Sequence, residues 1–407
     1  MKKQSPKIIN AKLASIWSKE KLRNIAPLRG GFAFKSEKFQ NTGIPIVRIS
    51  NIKFDGTVGG EFEYYSKIIP DEKFVLRGRS ILLAMSGATT GKIAMLDSEE
   101  EYYQNQRVGY FQNTGEVDYE FISSVLQTKA FTNQLNAVLV AGAQPNISSK
   151  EIDSFEFCIP DSIDEQSAIG FLFRTLDDLL ASYKDNLANY QSLKATMLSK
   201  MFPKAGQTVP EIRLDGFEDE WEKGTIGEFG SFYYGKSAPK WSVTDEATTP
   251  CVRYGELYTK FYTKIDKIYS YTSIPKENLK LSSGNEVLVP RVGENPLDFA
   301  NCSWLSLKDV AIGEMISVYN TPNNPLFIAY YFNAKMRKEF AKRVEGGSVA
   351  NLYYTYLENI SISVPSIPEQ QAIGAYFSNL DKIINSYQEK ISQLETLKKK
   401  LLQDMFI

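Results

Sequence analysis

Histidine is absent from this chain of 407 residues, and cysteine occurs at only three positions, Cys158, Cys251 and Cys302. The absence of histidine excludes Ser–His–Asp and Cys–His catalytic arrangements and every zinc site that uses histidine. The cysteines lack the Cys-x-x-Cys spacing of metal and redox motifs, and their odd number indicates a reducing cytoplasm without a disulfide framework. We therefore predict a chain that is not itself an enzyme and that holds no metal or other cofactor.

Long hydrophobic runs are also absent. The apolar stretch 137–143 is much shorter than the roughly 18 residues that a membrane-spanning helix needs. The N-terminal lysines are not followed by the apolar core of a signal peptide, so we expect a cytoplasmic protein that contacts no membrane. Hydrophobic residues make up 43% of the chain and aromatic residues 13%, which is typical of globular modules, and the length predicts roughly two to four domains.

Excess charge of one sign is absent as well, because the net charge is only −1. The distribution is nevertheless uneven: residues 1–60 contain twelve Lys or Arg and three Asp or Glu. A second basic patch lies at 335–343, where Lys335, Arg337, Lys338, Lys342 and Arg343 outnumber Glu339. One basic patch in each half fits two contacts with a nucleic acid, and an ordinary solvated face is the alternative for either patch.

The strongest feature that is present is an internal repeat, in which residues 162–202 recur at 366–406. Each copy opens with Ser-x-x-Glu, which predicts a helix start where the glutamate bonds back to the serine N–H. Apolar residues then follow at alternating steps of three and four, which predicts a coiled-coil seam. The seam comprises Phe173, Leu176, Leu180, Tyr183, Leu187 and Tyr190 in the first copy, and Phe377, Leu380, Ile384, Tyr387, Ile391 and Leu394 in the second.

A lysine interrupts both seams at the same register, at Lys194 and Lys398. A polar residue in a seam can fix the register or the orientation of pairing, whereas a lysine near a frayed end can simply extend its amine into water. Both interpretations remain open at this stage. We predict that each long helix packs against its own copy in the antiparallel direction.

Outside the long helices, each half combines short β-rich runs with a helix and a final strand, which favours an α/β or α+β module. Anchor residues repeat between the halves, as Trp17 does at Trp221 and Gly78 at Gly284, while the loops between anchors differ. We therefore predict two similar domains related by a pseudo-two-fold duplication. Their predicted bounds are 1–158 and 204–362, and the long helices follow them at 159–203 and 363–407.

Three stretches, taken in order on this duplicated frame, resemble the specificity subunits of type I restriction–modification systems over essentially the whole chain. They are the pre-helix segment from Gly142 to Ser148, its counterpart from Gly346 to Leu352, and the joint from Val209 to Trp221. The second copy departs from the pattern, since Val349 and Ala350 replace Gln144 and Pro145.

This resemblance implies two target recognition domains that each read one half of a split, asymmetric sequence in double-stranded DNA. It further implies that the antiparallel helices set the spacing and dock two methylation subunits, which bind S-adenosylmethionine. Separate restriction subunits would use ATP and Mg²⁺, so that this chain would carry no cofactor. The alternative function is a coiled-coil scaffold whose globular domains bind proteins and not DNA.

Several residue groups are candidates for DNA contact. The segment from Gly87 to Lys92 is too short for an ATP-binding loop, but its amides with Thr89, Thr90 and Lys92 could hold a DNA phosphate. A structural turn is the alternative. Arg48 and Arg253 occupy equivalent positions, so a phosphate contact and an internal ion pair stand beside guanine readout as interpretations.

Base readout is expected mainly where the two copies differ. These candidates are Lys35, Asn51 and Lys53 in the first half, and Lys240, Glu256 and Tyr258 in the second, with Arg291 as a further candidate for DNA contact. The polar run Gln104, Asn105, Gln106 and Arg107 is another candidate, because side-chain amides can pair with adenine, and a polar turn is its alternative.

Overall fold

The computed structural model describes residues 15–68, 72–141, 146–236 and 238–406, and it combines helices with sheets as the sequence predicts. The basic residues before position 15 and the first four residues of the pre-helix segment, 142–145, lie outside the described residues. The chain forms two compact units: Met1–Tyr183 with Lys390–Ile407, and Lys184–Glu389. Each unit therefore contains one globular domain together with parts of both long helices.

The first unit contains a six-stranded sheet. The strands of the whole unit are β1 (Trp17–Lys21), β2 (Leu28–Gly30), β3 (Ile44–Val47), β4 (Glu63–Tyr65), β5 (Val75–Ala84), β6 (Ile93–Gln104), β7 (Val108–Phe111) and β8 (Glu156–Pro160). Its helices are α1 (Leu22–Ile25), α2 (Tyr119–Val125), α3 (Lys129–Ala141), α4 (Ser149–Asp153) and the start of the long helix α5 (Ile163–Lys200). The sheet order is β2-β7-β5-β6-β3-β4, and β1 pairs separately with β8. Phe121, Phe173 and Met405 share the main core of this unit.

The second unit repeats this plan with more interrupted strands. They are β9 (Glu222–Thr225), β10 (Ser231–Tyr234), β11 (Thr249–Val252), β12 (Lys264–Ile265), β13 (Ser270–Thr272), β14 (Leu281–Ser283), β15 (Glu286–Pro290), β16 (Val292–Gly293), β17 (Ser303–Leu305), β18 (Lys308–Ile312), β19 (Ile316–Asn320), β20 (Glu345–Gly346), β21 (Ala350–Asn351) and β22 (Ser361–Val364). The helices are α6 (Glu256–Thr259), α7 (Pro325–Lys335), α8 (Arg337–Ala341) and the long α9 (Ile367–Met405). The sheets have the orders β10-β19-β15-β17-β12, β13-β11-β18-β14, β16-β21-β20 and β22-β9.

The duplication extends to individual backbone contacts within the domains. A Cβ at Gly31 would lie 2.2 Å from the carbonyl oxygen of Asn105, and a Cβ at Gly235 would lie 2.1 Å from that of Gly313. Both positions therefore require glycine, because the chain passes against the end of a neighbouring strand in the same way. These contacts align Gly31 with Gly235 and Asn105 with Gly313, so that the side chains beside them can be compared directly.

The two long helices pair antiparallel within each unit, as predicted. In the first unit, Phe173 contacts Phe406, and Asp177 forms an ion pair with Lys398. In the second, Tyr190 stacks on Tyr387, with ring centroids 5.6 Å apart, and Phe202 contacts Phe377. In both cases the residue numbers rise on one helix as they fall on the other. All the predicted seam residues are buried or half-buried.

The lysines in the seam settle the question that the sequence left open. Lys194 forms an ion pair with Asp381, just as Lys398 does with Asp177, so neither amine merely extends into water. Asp177 and Asp381 are equivalent in the two copies, and so are the lysines. A parallel pairing in register would set Asp177 opposite Asp381. The antiparallel pairing instead sets each of these two aspartates opposite a lysine. The charges therefore favour the observed direction.

The predicted reciprocal cap at the start of each long helix is wrong. The Glu165 backbone N–H does donate to the Ser162 hydroxyl at 3.4 Å, but the Glu165 carboxylate accepts from the Ser15 backbone N–H at 2.6 Å and from Trp17 Nε1 at 3.1 Å. In the second copy, Glu369 accepts from the Arg213 guanidinium at 2.7 and 2.8 Å. Both glutamates are buried, so they bond groups brought from elsewhere in their own unit instead of bonding back to serine.

We predict that Lys398→Glu lowers the free energy of unfolding by about 1–2 kcal/mol, because it sets two carboxylates together in a partly buried seam. Asp177→Lys combined with Lys398→Glu should recover most of this loss by restoring an ion pair of reversed polarity. Urea denaturation of the three chains measures the effect. Lys390→Glu, at an exposed position of the same helix, is the control and should change stability by less than about 0.5 kcal/mol. A double variant no more stable than Lys398→Glu would contradict the pairing.

Candidate nucleic-acid interface

Asn51 holds the backbone of the first domain and is not a base reader. Its Oδ1 accepts from the Arg48 backbone N–H at 3.0 Å, and its Nδ2 donates to the carbonyl oxygens of Gly59 at 3.3 Å and Glu61 at 2.9 Å. The side chain is only 1% exposed. This sequence-based assignment is therefore corrected, because every polar group of the amide is already bonded inside the domain.

Glu256 performs the same task at the equivalent position of the second domain. Its Oε2 accepts from the Arg253 backbone N–H at 3.0 Å, while its Oε1 accepts from the Ser270 hydroxyl at 2.5 Å and from Lys260 Nζ at 3.2 Å. Base readout by Glu256 is likewise corrected. A sequence signal was present, since an acceptor side chain follows each arginine after three positions and can cap that residue's N–H.

The two equivalent arginines differ in their side-chain contacts. Arg48 lies 3.4 Å from Glu63 as an ion pair, and its Nε is buried without a hydrogen bond. The internal ion pair is thus the interpretation that the structure favours for Arg48. The guanidinium of Arg253 has no ion pair or hydrogen bond with the described part of the chain, so it remains a candidate for a phosphate contact.

The predicted role of Gln104 in base readout is also corrected, because its side chain is fully buried. Its Nε2 donates to the carbonyl oxygens of Arg29 at 2.8 Å and Val108 at 2.7 Å. Its Oε1 accepts from Nε and Nη2 of Arg29 at 3.0 and 2.9 Å. The amide therefore has no bonding capacity left for a base. Burial lowers the pKa of Arg29, whose guanidinium also lies 4.7 Å from the ring of Tyr110.

The rest of that polar run forms an exposed turn between β6 and β7. Asn105 Oδ1 accepts from the Arg107 backbone N–H at 3.4 Å, so Asn105 shapes the turn. Gln106 and Arg107 are exposed, and the Gln106 backbone N–H donates to the carbonyl oxygen of Phe32 at 2.8 Å. This bond brings the turn beside the segment that leads to Lys35, which is exposed as well. Gln106, Arg107 and Lys35 therefore remain candidates for DNA contact.

The segment from Gly87 to Lys92 forms a tight turn. Thr89 Oγ1 donates to the Ile49 carbonyl oxygen at 3.2 Å and Thr90 Oγ1 to that of Gly87 at 2.6 Å, so both hydroxyls stabilise the turn. Lys92 Nζ lies 4.4 Å from the ring of Phe54. This aromatic residue, 75% exposed, was missed in the sequence.

Lys53, beside that phenylalanine, donates from Nζ to the Ser50 carbonyl oxygen at 3.3 Å. The structure thus brings Lys92 against an exposed aromatic ring whose preceding residue in the sequence is Lys53. Both lysines stay candidates for phosphate contact, whereas Thr89 and Thr90 fit the structural-turn interpretation better.

In the second domain, Lys240 and its neighbour Trp241 are exposed, the latter by 73%. The Tyr258 hydroxyl donates to the Val292 carbonyl oxygen at 3.0 Å, and burial raises the pKa of this tyrosine. Tyr258 is therefore a packing residue, and its assignment to base readout is corrected. Arg291 lies just beyond β15, with its guanidinium against the rings of Tyr234 and Tyr353.

Several cations of the basic patch at 335–343 have partners in their own unit. Lys335 Nζ donates to the Ser199 carbonyl oxygen at 2.9 Å, and burial lowers its pKa. Arg337 lies 3.6 Å from Asp298, and Lys342 and Arg343 both bond Glu339. Two carboxylates, Glu339 and Asp298, thus face five cations, so the patch keeps a positive charge and the nucleic-acid interpretation stands beside that of a solvated face.

No group of three or more Cys, Asp or Glu side chains with metal-binding geometry occurs among the described residues. The described helices also include none that is long and apolar enough to cross a membrane.

Burial raises the pKa of Cys251 to about 11 and raises that of Cys302 as well. Neither thiol is therefore a thiolate nucleophile at neutral pH.

The family model of the type I restriction modification DNA specificity domain matches this chain twice, at residues 15–189 and 218–396. The chain belongs to this family of DNA specificity domains. The matched ranges correspond to the two repeats, so the type I specificity fold occurs twice in one polypeptide. The role in DNA recognition that the sequence predicts is thereby confirmed.

Individual relatives agree with this family. Over 175 residues, 40% of each chain, the sequence is 26% identical to the type I restriction enzyme MjaVIII specificity subunit of Methanocaldococcus jannaschii. The putative MjaX specificity subunit of that organism is 21% identical over 95% of this chain and 92% of its own length. The crystal structure of the type I restriction–modification S subunit from M. genitalium shares the fold, with a TM-score of 0.63 at 16% identity over 99% of both chains.

We predict that Gln104→Ala lowers the free energy of unfolding by about 1–3 kcal/mol, because it leaves the half-buried Arg29 guanidinium and two backbone groups without their partner. Gln106→Ala, two residues away but exposed, should cost less than about 0.5 kcal/mol. Urea denaturation of both variants makes the comparison. Equal effects would mean that the buried amide does not hold the first domain together.

Proposed function

We propose that this chain directs a type I restriction–modification complex to a bipartite, asymmetric DNA sequence, with each domain reading one half. The observation that carries this proposal is a shared backbone with different exposed side chains. The turn after β6 has the exposed Gln106 and Arg107, and the equivalent turn after β18 has the exposed Glu314 and the half-buried Met315. In both domains this turn accepts a backbone hydrogen bond from the neighbouring strand, through Arg107 in one and Met315 in the other. Equal placement of unlike side chains is what two different half-sites require.

The long helices are proposed to dock two methylation subunits and to set the spacing between the half-sites. Each unit exposes one isoleucine from the start of one long helix and one leucine from the end of the other. These are Ile163 and Leu397 in the first unit, and Leu193 and Ile367 in the second, all at least 38% exposed. Exposed apolar residues at matched positions fit two copies of one protein partner.

We further propose that the chain has no catalytic activity of its own. S-adenosylmethionine would bind to the methylation subunits, and ATP and Mg²⁺ to separate restriction subunits, in a cytoplasmic complex. The lack of histidine and the protonated state of Cys251 and Cys302 support this division of labour. A protein-binding scaffold remains the alternative, and it would show no preference among double-stranded DNA sequences.

Replacing residues 20–150 by the matching segment of a relative should change one half of the methylated sequence and leave the other half unchanged. The reason is that the first sheet and its turns lie within this segment. Sequencing of methylated positions in DNA treated with the reconstituted complex provides the measurement. Alteration of both halves, or of neither, would show that the domains do not read independently.

The purified chain alone should transfer no methyl group from S-adenosylmethionine to DNA, and activity should appear when the methylation subunits are added. Radiolabelled methyl transfer to a plasmid measures both states. The control is the methylation subunits without this chain, which should lack sequence-specific transfer. Methyl transfer by the chain alone would refute its non-catalytic role.

A further inference from the structure

Arg291 is held in a fixed plane by two tyrosine rings of its own domain. Its Cζ lies 4.4 Å from the ring centroid of Tyr234 and 5.5 Å from that of Tyr353. Tyr234 is itself packed against Tyr354, with ring centroids 4.6 Å apart, and Tyr354 stacks on Phe232 at 5.5 Å. The guanidinium therefore rests on a layered aromatic support that limits its rotation.

This guanidinium has no anionic partner within the described residues. Its Nε is buried without a hydrogen bond, and its terminal amino groups form no hydrogen bond or ion pair in that part of the chain. A half-buried charge without a partner is costly, because water has been removed and nothing replaces it. Arg29, Arg48 and Arg79, by contrast, all bond acceptors in the first domain. The terminal amino groups of Arg291 are consequently available to a ligand, whereas its Nε is covered by the domain.

The arrangement occurs in the second domain alone. Backbone bonds fix the alignment, since the Met85 carbonyl oxygen accepts from Ile147 in the first domain as that of Arg291 accepts from Leu352 in the second. Arg291 therefore replaces Met85. In the same alignment, Gly30 stands where the second domain has Tyr234, and Ser148 where it has Tyr353.

From this geometry we infer that Arg291 reads a guanine in the half-site recognised by the second domain, an inference that rests on the proposed function. A guanidinium of fixed orientation can donate two parallel hydrogen bonds to O6 and N7 of guanine in the major groove. A phosphate is the other acceptor with suitable geometry. Arg291 differs from its counterpart Met85, and the two half-sites differ in their bases while sharing one phosphate backbone, which favours a base as its acceptor. The experiment below separates the two acceptors, because loss of a phosphate contact weakens binding to all sequences alike.

The test uses the full chain in complex with its methylation subunits. Sequencing of methylated DNA first defines the recognised sequence, and each guanine of the second half-site is then replaced in turn by 7-deazaguanine, which lacks the N7 acceptor. Binding of the wild-type complex should weaken roughly tenfold at one guanine and remain unchanged at the others. If the half-site contains no guanine, or if no guanine is sensitive, the inference fails without recourse to any variant.

Arg291→Met then identifies the protein side of the contact, and the domain should accept methionine because Met85 occupies the equivalent backbone position just beyond β5. This variant should bind the 7-deazaguanine probe and the normal probe equally, and should methylate sites with any base at that one position. Arg77→Lys, an exposed ion-paired arginine of the first domain, is the control and should leave the recognised sequence unchanged.

Two other outcomes would overturn the inference in different ways. Uniformly weaker binding of Arg291→Met to all sequences, with unaltered preference, would identify a phosphate contact. Unaltered binding and preference would leave Arg291 with no role in recognition. A wild-type complex that shows no sequence preference would instead refute the proposed function, which separates the two failures.

Discussion

The structure depends on ion pairs between two copies of one helix. Each copy supplies one aspartate and one lysine, and each lysine meets the aspartate of the other copy, as Lys398 with Asp177 and Lys194 with Asp381. A duplicated helix can satisfy both pairs only when its copies run in opposite directions. The surrounding apolar seam supplies the contact area, but a seam of leucine, isoleucine and tyrosine tolerates either direction. The charges are what distinguish the two.

Duplicated contacts also occur inside the two domains. Gly31 and Gly235 are equivalent glycines where the backbone lies against the end of a neighbouring strand. Asn51 and Glu256 are equivalent acceptors that bond the backbone N–H of an arginine. These buried contacts fix where the loops begin and end. The exposed side chains of Gln106 and Glu314 do not stabilise the fold in this way, so these positions can differ between the domains. A specificity protein needs this separation, because recognition can change without loss of the fold.

The site was less predictable than the fold for a definable reason. Sequence comparison treats a difference between copies as a sign of different recognition, yet Asn51 and Glu256 differ while they accept the same backbone N–H. Gln104 has the amide that suits adenine, but its four hydrogen bonds are all internal. The residue type determines which hydrogen bonds a side chain can form. Burial determines whether its donors and acceptors are still available to DNA. In the first domain, Lys35, Gln106 and Arg107 are exposed and kept both, and the half-buried Lys53 and Lys92 stay candidates for phosphate contact.

The sequence by itself determined the duplication, the two long helices, their pairing seam and the mixed sheet-and-helix class of the domains. These follow from periodicity and from local spacing, which are properties of the chain alone. Tertiary structure decided the partners of charged and polar groups: Arg213 for Glu369, Arg29 for Gln104, and the tyrosine rings for Arg291. Such partners lie far apart in sequence, and a buried polar group takes whichever acceptor or donor the packing brings within reach. That choice depends on the three-dimensional arrangement of the whole unit, and no local pattern encodes it.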